Sequence, residues 1–425
     1  LSPNRGIVFV ILRVIMKRYV IFILLFLTFF APAKAVNELS DSAVVSLLTV
    51  APFQGRIWTV YGHTAIRVLD PANRLDIAFN YGIFDYSKPH FIYRFTKGET
   101  DYQLGAQSFN DFMIDYMMRG SAVTEQVLNL TAKEKNNIWQ ALMVNYQPEN
   151  RVYRYNFFFD NCATRPKKII ERGIEGKLTY PVQAKHHSFR TLINNCTKFH
   201  QWLTFGCDLV LGQPTDRRAT QDEEMFLPTI LADNISRATV TDSSGVARQL
   251  VVKTNQLSEE TAEPLQQTFL DTFSPKVFGW TIFFIILAIT ALGWYTGKIF
   301  RVTDYILFGA AGLGGCLIWF ICFISTHPCV WPNWNALWLQ PIHLVAVALF
   351  AVPSLRKAGY IYHFVNFILI AVLIALWNFV PQHFNAAALP LVLSLWIRSA
   401  FNITAQRYSD VAVHKRHRTK TNIKK

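Results

Sequence analysis

Five apolar stretches, each near 20 residues, fill the last third of this 425-residue chain, at 277–296, 304–325, 335–353, 360–379 and 384–405. About 20 apolar residues is the length a helix needs to cross the hydrocarbon core of a bilayer, where every backbone N–H and C=O must be satisfied inside the segment. The chain is therefore expected to carry an all-α membrane domain of about five transmembrane helices. The junctions between the stretches supply an independent signal. Lys298 and Arg301 follow the first and Arg356 and Lys357 the third, while Arg407, Lys415, Arg416, Arg418, Lys420, Lys424 and Lys425 follow the fifth. The intervening loops at 327–334 and 381–383 hold no Lys or Arg. By the positive-inside rule the basic junctions are cytoplasmic, and everything before residue 277 lies on the outer side.

The start of the chain points the same way. Lys17-Arg18, the apolar run 19–30 and Ala33-Lys34-Ala35 have the order of a secretory signal, with Met16 just ahead. Residues 1–15 read as an upstream extension of that signal, and an uncleaved anchor is the rival reading. The expected organisation is an extension and signal peptide over 1–35, an exported catalytic domain over 36–235, a linker over 236–276, the membrane domain over 277–405 and a basic cytoplasmic tail over 406–425. The net charge of +14 is accounted for by topology and by a tail facing the membrane. No recognition motif accompanies it, so no nucleic-acid partner is expected.

Within the exported part the pattern alternates between strand and helix periods, giving an α+β class. A short amphipathic helix is expected over 38–50, then a hairpin of 58–69 and 75–81 about Asp70-Pro71-Ala72-Asn73. Short strands are expected at 91–95 and 101–104, a helix at 109–118 and a strand at 122–130. Thr131 and Glu134 have capping-box spacing for a helix over 131–145, and 152–158 alternates as a further strand. The polar stretch 236–265 reads as a hairpin or a mobile connection.

Two residues carry candidate chemistry. Cys162 follows Asp160-Asn161 at what reads as a helix start, and His63 follows Gly62 at a strand start. A thiolate needs a depressed pKa or an adjacent base, and backbone N–H groups at a helix start can serve as an oxyanion hole. Pro166 complicates a simple helix there: either the helix kinks, or Cys162 sits on a tight turn before it. The base needs a third group to orient it; Asn80 is the first candidate and Asp85 the second. The plainer reading of such a cysteine is a buried thiol or a disulfide partner, and of such a histidine a satisfied core residue. Cys196 and Cys207 are near enough in sequence to form a bridge in an oxidising compartment, although sequence spacing cannot fix that geometry. No cofactor or metal is called for.

Gly62-His63-Thr64-Ala65, Asn80-Tyr81-Gly82-Ile83-Phe84-Asp85, Asp101-Tyr102-Gln103-Leu104, Asp160-Asn161-Cys162-Ala163-Thr164-Arg165 and Glu224-Met225-Phe226-Leu227-Pro228 resemble the bacterial family once called DUF4105. That family is now named for the N-terminal periplasmic domain of Lnb, a lipoprotein N-acyltransferase of Bacteroides. The resemblance extends into the membrane part at His327-Pro328 and Asn333-Trp334-Asn335. It implies a permuted papain-like fold, akin to NlpC/P60 and lecithin:retinol acyltransferase relatives, in which histidine precedes cysteine. It also implies a catalytic pair at His63 and Cys162, a phospholipid acyl donor, a lipoprotein acceptor and a multi-pass inner-membrane location with the catalytic domain in the periplasm. The orienting role of Asn80 is an inference from the residues alone. A cysteine amidase or peptidase acting on cell-wall peptide, and a non-enzymatic membrane assembly protein, are the alternatives. The loop 331–338, rich in Trp, reads as an interfacial anchor belt or a substrate contact.

Overall fold

An interior strand of the exported domain is one the periodicity misassigns. In the computed structural model, which describes residues 38–53, 59–261 and 273–422 with side chains to 405, β1 (Val44–Val50) replaces the helix expected over 38–50. It pairs with β2 (His63–Asp70) on one side and β5 (Val123–Leu128) on the other. A strand flanked on both sides and buried on both faces carries apolar residues on each face, here with small buried Ser46 and Thr49 among them, so it shows no alternation. Residues 1–37, including the expected signal peptide, lie outside the described residues.

β2 and β3 (Leu75–Ile83) form the expected hairpin, closed by a single 3-10 turn, Pro71–Asn73, whose Asp70 side chain accepts from the Asn73 N–H. Next comes α1 (Phe91–Lys97), where a strand was expected. Phe91 and Phe95 stack at i, i+4 spacing, and Gly98 ends the helix in the left-handed region. β4 (Asp101–Ser108), α2 (Phe109–Met117), β5 and α3 (Ala132–Tyr146) follow as expected. Thr131 and Glu134 make both bonds of the capping box. β6 is confined to Val152–Arg154, because the backbone closes a loop between Asn156 and Asp160 with hydrogen bonds of 3.1 and 2.9 Å.

Beyond the loop come α4 (Thr164–Gly173) and β7 (Lys177–Thr179). α5 (Phe189–Thr197), α6 (Gln201–Val210), α7 (Gln221–Glu224) and α8 (Pro228–Ser236) follow. β8 (Thr239–Thr241) and β9 (Ala247–Gln249) make the hairpin reading of the polar stretch, joined to β7. β10 (Val251–Ser258) then pairs with β5, so this part of the expected linker is an edge strand rather than a mobile connection. Among the described residues the main sheet is antiparallel and seven-stranded, in the order β10-β5-β1-β2-β3-β4-β6.

Five helices of the C-terminal part are long and apolar enough to cross a membrane, over Pro275–Thr296, Arg301–Phe323, Trp334–Ala351, Pro353–Ala375 and Ala388–Ala405. Their α-helical portions are α9 (Pro275–Thr296), α10 (Arg301–Phe323), α11 (Ile342–Ala351), α12 (Arg356–Ala375) and α13 (Ala388–Asn422). The two buried charges inside these spans, Asp304 and Arg398, pair with each other. The Arg398 guanidinium on α13 meets the Asp304 carboxylate on α10 in a fork, Nε–Oδ1 2.7 Å and Nη2–Oδ2 2.9 Å. Asn402 and Thr290 complete this buried set, as an ion in an apolar medium requires.

Sheet domain and bundle belong to one unit, Ser40–Lys425, and the outer loops join them. Asn333 donates to the Leu209 and Val210 carbonyls and Asn335 to those of Asp208 and Leu209. Asn385 donates to the Asp208 carboxylate at 2.8 Å. Asp208 is itself paired with buried Arg190, which also meets Asp216. With Gln382 donating to the Leu211 carbonyl, both loops that lack Lys and Arg touch the exported domain, in keeping with their assignment to its side of the bilayer. The loop 331–338 is mainly structural: Asn333, Asn335 and Trp338 are buried, and Trp331 is exposed.

Candidate functional site

Strand register brings His63 and Asn80 together. Ala65 on β2 lies opposite Asn80 on β3, and His63, two residues earlier, shares the face of Ala65. His63 is therefore the diagonal neighbour of Asn80, and its Nε2 lies 3.1 Å from Asn80 Oδ1. The amide oxygen only accepts, so Nε2 carries the hydrogen and Nδ1 the lone pair. Gly62 supplies the bend before the strand: its φ is +75°, and a Cβ there would stand 2.7 Å from the Val50 carbonyl oxygen. Asp85, the second orienting candidate, is elsewhere engaged. It accepts from the N–H and hydroxyl of Ser87 in an exposed turn.

Cys162 stands on the turn between the Asn156–Asp160 loop and α4, partly accessible to solvent. The turn is built by its neighbours. Asn161 is buried and its amide is fully used: Oδ1 accepts from the Ala163 and Thr164 N–H groups at 2.8 and 2.9 Å. Its Nδ2 donates to the Phe157 and Phe226 carbonyls, both at 2.8 Å. The last of these ties the 224–228 motif to the cysteine turn. Asp160 holds Arg165 in a two-pronged pair, and the Arg165 guanidinium lies 3.4 Å over the Tyr153 ring. Pro166 is the third residue of α4, within the first turn, where backbone N–H groups have no intrahelical partner. It neither breaks the helix nor displaces Cys162.

The thiol and the imidazole share surroundings. The backbone N–H groups of Thr64 and Cys162 and the Tyr155 side chain lie near enough to the sulfur to favour its charged form, and Thr64 is the residue after His63. Tyr116 stacks on His63 with ring centroids 6.1 Å apart. Gly82, with φ +95°, brings backbone to the sulfur side: a Cβ there would be 3.6 Å from Cys162 Cβ.

Burial pushes the Cys162 thiol up to about 11, against the pull of those three donors. Burial also lowers His63 to about 4, with Arg119 adding repulsion and the Asn80 bond opposing both. At neutral pH the resting pair is thiol and neutral imidazole.

Cys196 and Cys207 are both free, so the bridge considered for them is not formed. Cys196, Cys207 and Tyr61 instead pack against the core cluster of Phe158, Phe189 and Phe226. Among the described residues no cluster of three or more His, Cys, Asp or Glu is arranged to hold a metal ion.

The model of the Lnb N-terminal periplasmic domain matches residues 33–195, and that of the Lnb transmembrane domain matches residues 266–409. The chain belongs to the Lnb family. It is a membrane protein with a periplasmic α/β domain, followed by five apolar helices. No curated protein and no solved structure matches the chain. In this Lnb-family member the residue-level reading missed Asn161, Tyr155 and Thr64 as parts of the site. Asn161 was legible only as a capping residue. The contributions of Tyr155 and Thr64 arise from chain segments about 90 residues apart, and no local spacing announces them.

Proposed function

We propose that this protein is a cysteine-dependent acyltransferase of the inner membrane. It would move an acyl chain from a phospholipid to the α-amino group of a lipoprotein's N-terminal cysteine. The single observation that carries this reading is the packing of the Cys162 turn against β3 at Gly82, two residues from the Asn80 that bonds His63, in a domain held against the outer ends of membrane helices. Lnb family membership is consistent with a role in lipoprotein processing.

In the first half-reaction His63 Nδ1 takes the thiol proton as the Cys162 sulfur attacks the ester carbonyl of the donor. The backbone N–H of Cys162 and the Tyr155 hydroxyl are the candidate donors to the resulting oxyanion. Collapse forms the thioester and breaks the ester bond, and the imidazolium returns its proton to the departing lysophospholipid oxygen. In the second half-reaction the acceptor amine attacks the thioester carbonyl, and its proton passes through His63 to the leaving Cys162 sulfur. The product is an amide, and the thiol and neutral imidazole are restored. Two displacements of moderate difficulty replace one hard one.

A helix beginning beside the nucleophile, packed on a sheet strand that carries the base, supports a permuted papain-like arrangement. The five spans favour transfer between lipid-anchored substrates over cell-wall hydrolysis, because confining enzyme, donor and acceptor to one bilayer raises their effective concentration. Mass spectrometry of a lipoprotein N-terminus, made with and without this protein in cells lacking any other N-acylating enzyme, tests the assignment. Loss of the N-acyl group with loss of the protein is expected, and an unchanged N-terminus would refute it.

A further inference from the structure

The helix α1 leaves its apolar side uncovered at the outer end of a membrane helix. Ile92 is 80% exposed, Tyr93 54% and Phe95 49%, a density of bare apolar surface that soluble faces rarely show. The helix is pinned there by the segment that follows α10. The Thr326 N–H donates to the Lys97 carbonyl at 2.8 Å, and the Thr326 hydroxyl donates to that of Gly98 at 3.0 Å. His327 Nε2 donates to the Phe95 carbonyl at 2.7 Å. Tyr93 also meets Phe320 of α10, with ring centroids 6.0 Å apart. Gly98 permits the approach, since a Cβ there would come within 2.8 Å of Thr326 Oγ1.

From this helix a continuous series of ring contacts leads to the thiol. Phe95 meets Phe91 at 6.0 Å, Phe91 meets Phe84 at 5.8 Å, Phe84 meets Tyr102 at 5.0 Å and Tyr102 stacks on Tyr155 at 4.2 Å. Tyr155 ends the series beside the thiol: a Cβ on Gly82 would stand 3.6 Å from the Tyr155 ring and 3.6 Å from Cys162 Cβ. An aromatic track with one end at the bilayer interface and the other at a nucleophile suits an acyl chain, which needs apolar contact along its length and no polar partner.

We infer that α1 lies in the outer bilayer interface, and that the track from Phe95 through Phe84 to Tyr155 is the route and binding surface for a phospholipid acyl chain on its way to Cys162. The occupant is bilayer lipid rather than another protein, because the bare face continues the outer end of a helix that itself spans the membrane. This inference rests on the acyl-transfer reading for its purpose, and its test separates the two.

The full-length Cys162→Ala protein is placed in vesicles of phosphatidylethanolamine and phosphatidylglycerol containing a phosphatidylethanolamine with a diazirine in its acyl chain. After irradiation, labelled residues are mapped by mass spectrometry. Labelling at 84–102 is expected. It should fall about tenfold in Ile92→Asp or Phe84→Ala, the change expected when one apolar side chain leaves the lipid contact. Labelling confined to α9–α13, or labelling at 84–102 that both substitutions leave unchanged, overturns the route. With Cys162 intact, a track that is labelled while no thioester forms upholds the route and removes acyl transfer. A thioester that forms without labelling of the track removes the route alone.

Discussion

His63 Nε2 and Asn80 Oδ1 lie 3.1 Å apart on neighbouring strands, and this contact decides which ring nitrogen is free to take a proton. With Nε2–H donating to Asn80, Nδ1 is the basic nitrogen, and the ring is held in one orientation by a residue that is itself buried.

Removing Asn80 should therefore act on the rate more than on the fold. Asn80→Ala is expected to lower kcat by about 10–100-fold with KM little changed, since it frees the base without deleting it. Asn80→Asp places a carboxylate on Nε2 and should move the acid limb of the pH–rate profile upward. A purely structural role for Asn80 would leave that limb where it is. Steady-state kinetics against pH in both variants checks this.

Cys162→Ala and His63→Ala should each abolish transfer, with losses of about 10³-fold or more, because the two act as one unit. Circular dichroism and thermal unfolding should show a retained fold, since the turn is held by Asn161 and Asp160 rather than by the sulfur.

The depressed His63 pKa makes a signed prediction. Unfolded, the imidazole titrates near 6.5, and in the fold near 4, so between those values the unfolded chain binds more protons. This contribution to stability is complete above pH 6.5 and is lost as pH falls toward 4. His63→Gln should flatten thermal stability across that window. Activity should hold until pH drops toward about 4. Alkylation of Cys162 by iodoacetamide should be slow at pH 7 and climb toward about 11.

The joint between sheet domain and bundle rests on Asp208, which meets Arg190 and Asn385. Asp208→Ala leaves Arg190 with one of its two carboxylates and strands the half-buried Asn385 amide, at a cost of about 3–5 kcal/mol. A lower unfolding temperature in detergent is expected. Asn385→Ala is milder, about 1–3 kcal/mol. It should weaken turnover of vesicle-borne donor while leaving iodoacetamide reactivity of Cys162 unchanged.

The parts of the fold legible in the sequence are those set by local rules. Alternation and the Asp70-Pro71-Ala72-Asn73 turn fixed the β2–β3 hairpin, Thr131 and Glu134 marked the start of α3, and length with scarce charge marked the five apolar helices. The failures share a cause in distant partners. β1 is buried on both faces and shows no alternation, and α1 is helical while leaning on α10 more than 200 residues away. At the site, His63, Cys162 and Asn80 were legible as residue types in short motifs. The Asn161–Phe226 bond and the Asp208 joint were not, because their partners lie on distant elements.

The most direct measurement is intact-protein mass spectrometry of the full-length enzyme after incubation with phosphatidylethanolamine vesicles and no acceptor. The account predicts a single acyl adduct on Cys162 that is released by hydroxylamine, absent in His63→Ala and Cys162→Ala, and discharged when a lipoprotein amine is added. Lipoprotein N-acylation that persists in Cys162→Ala, or turnover by an enzyme that never carries acyl on Cys162, would contradict it.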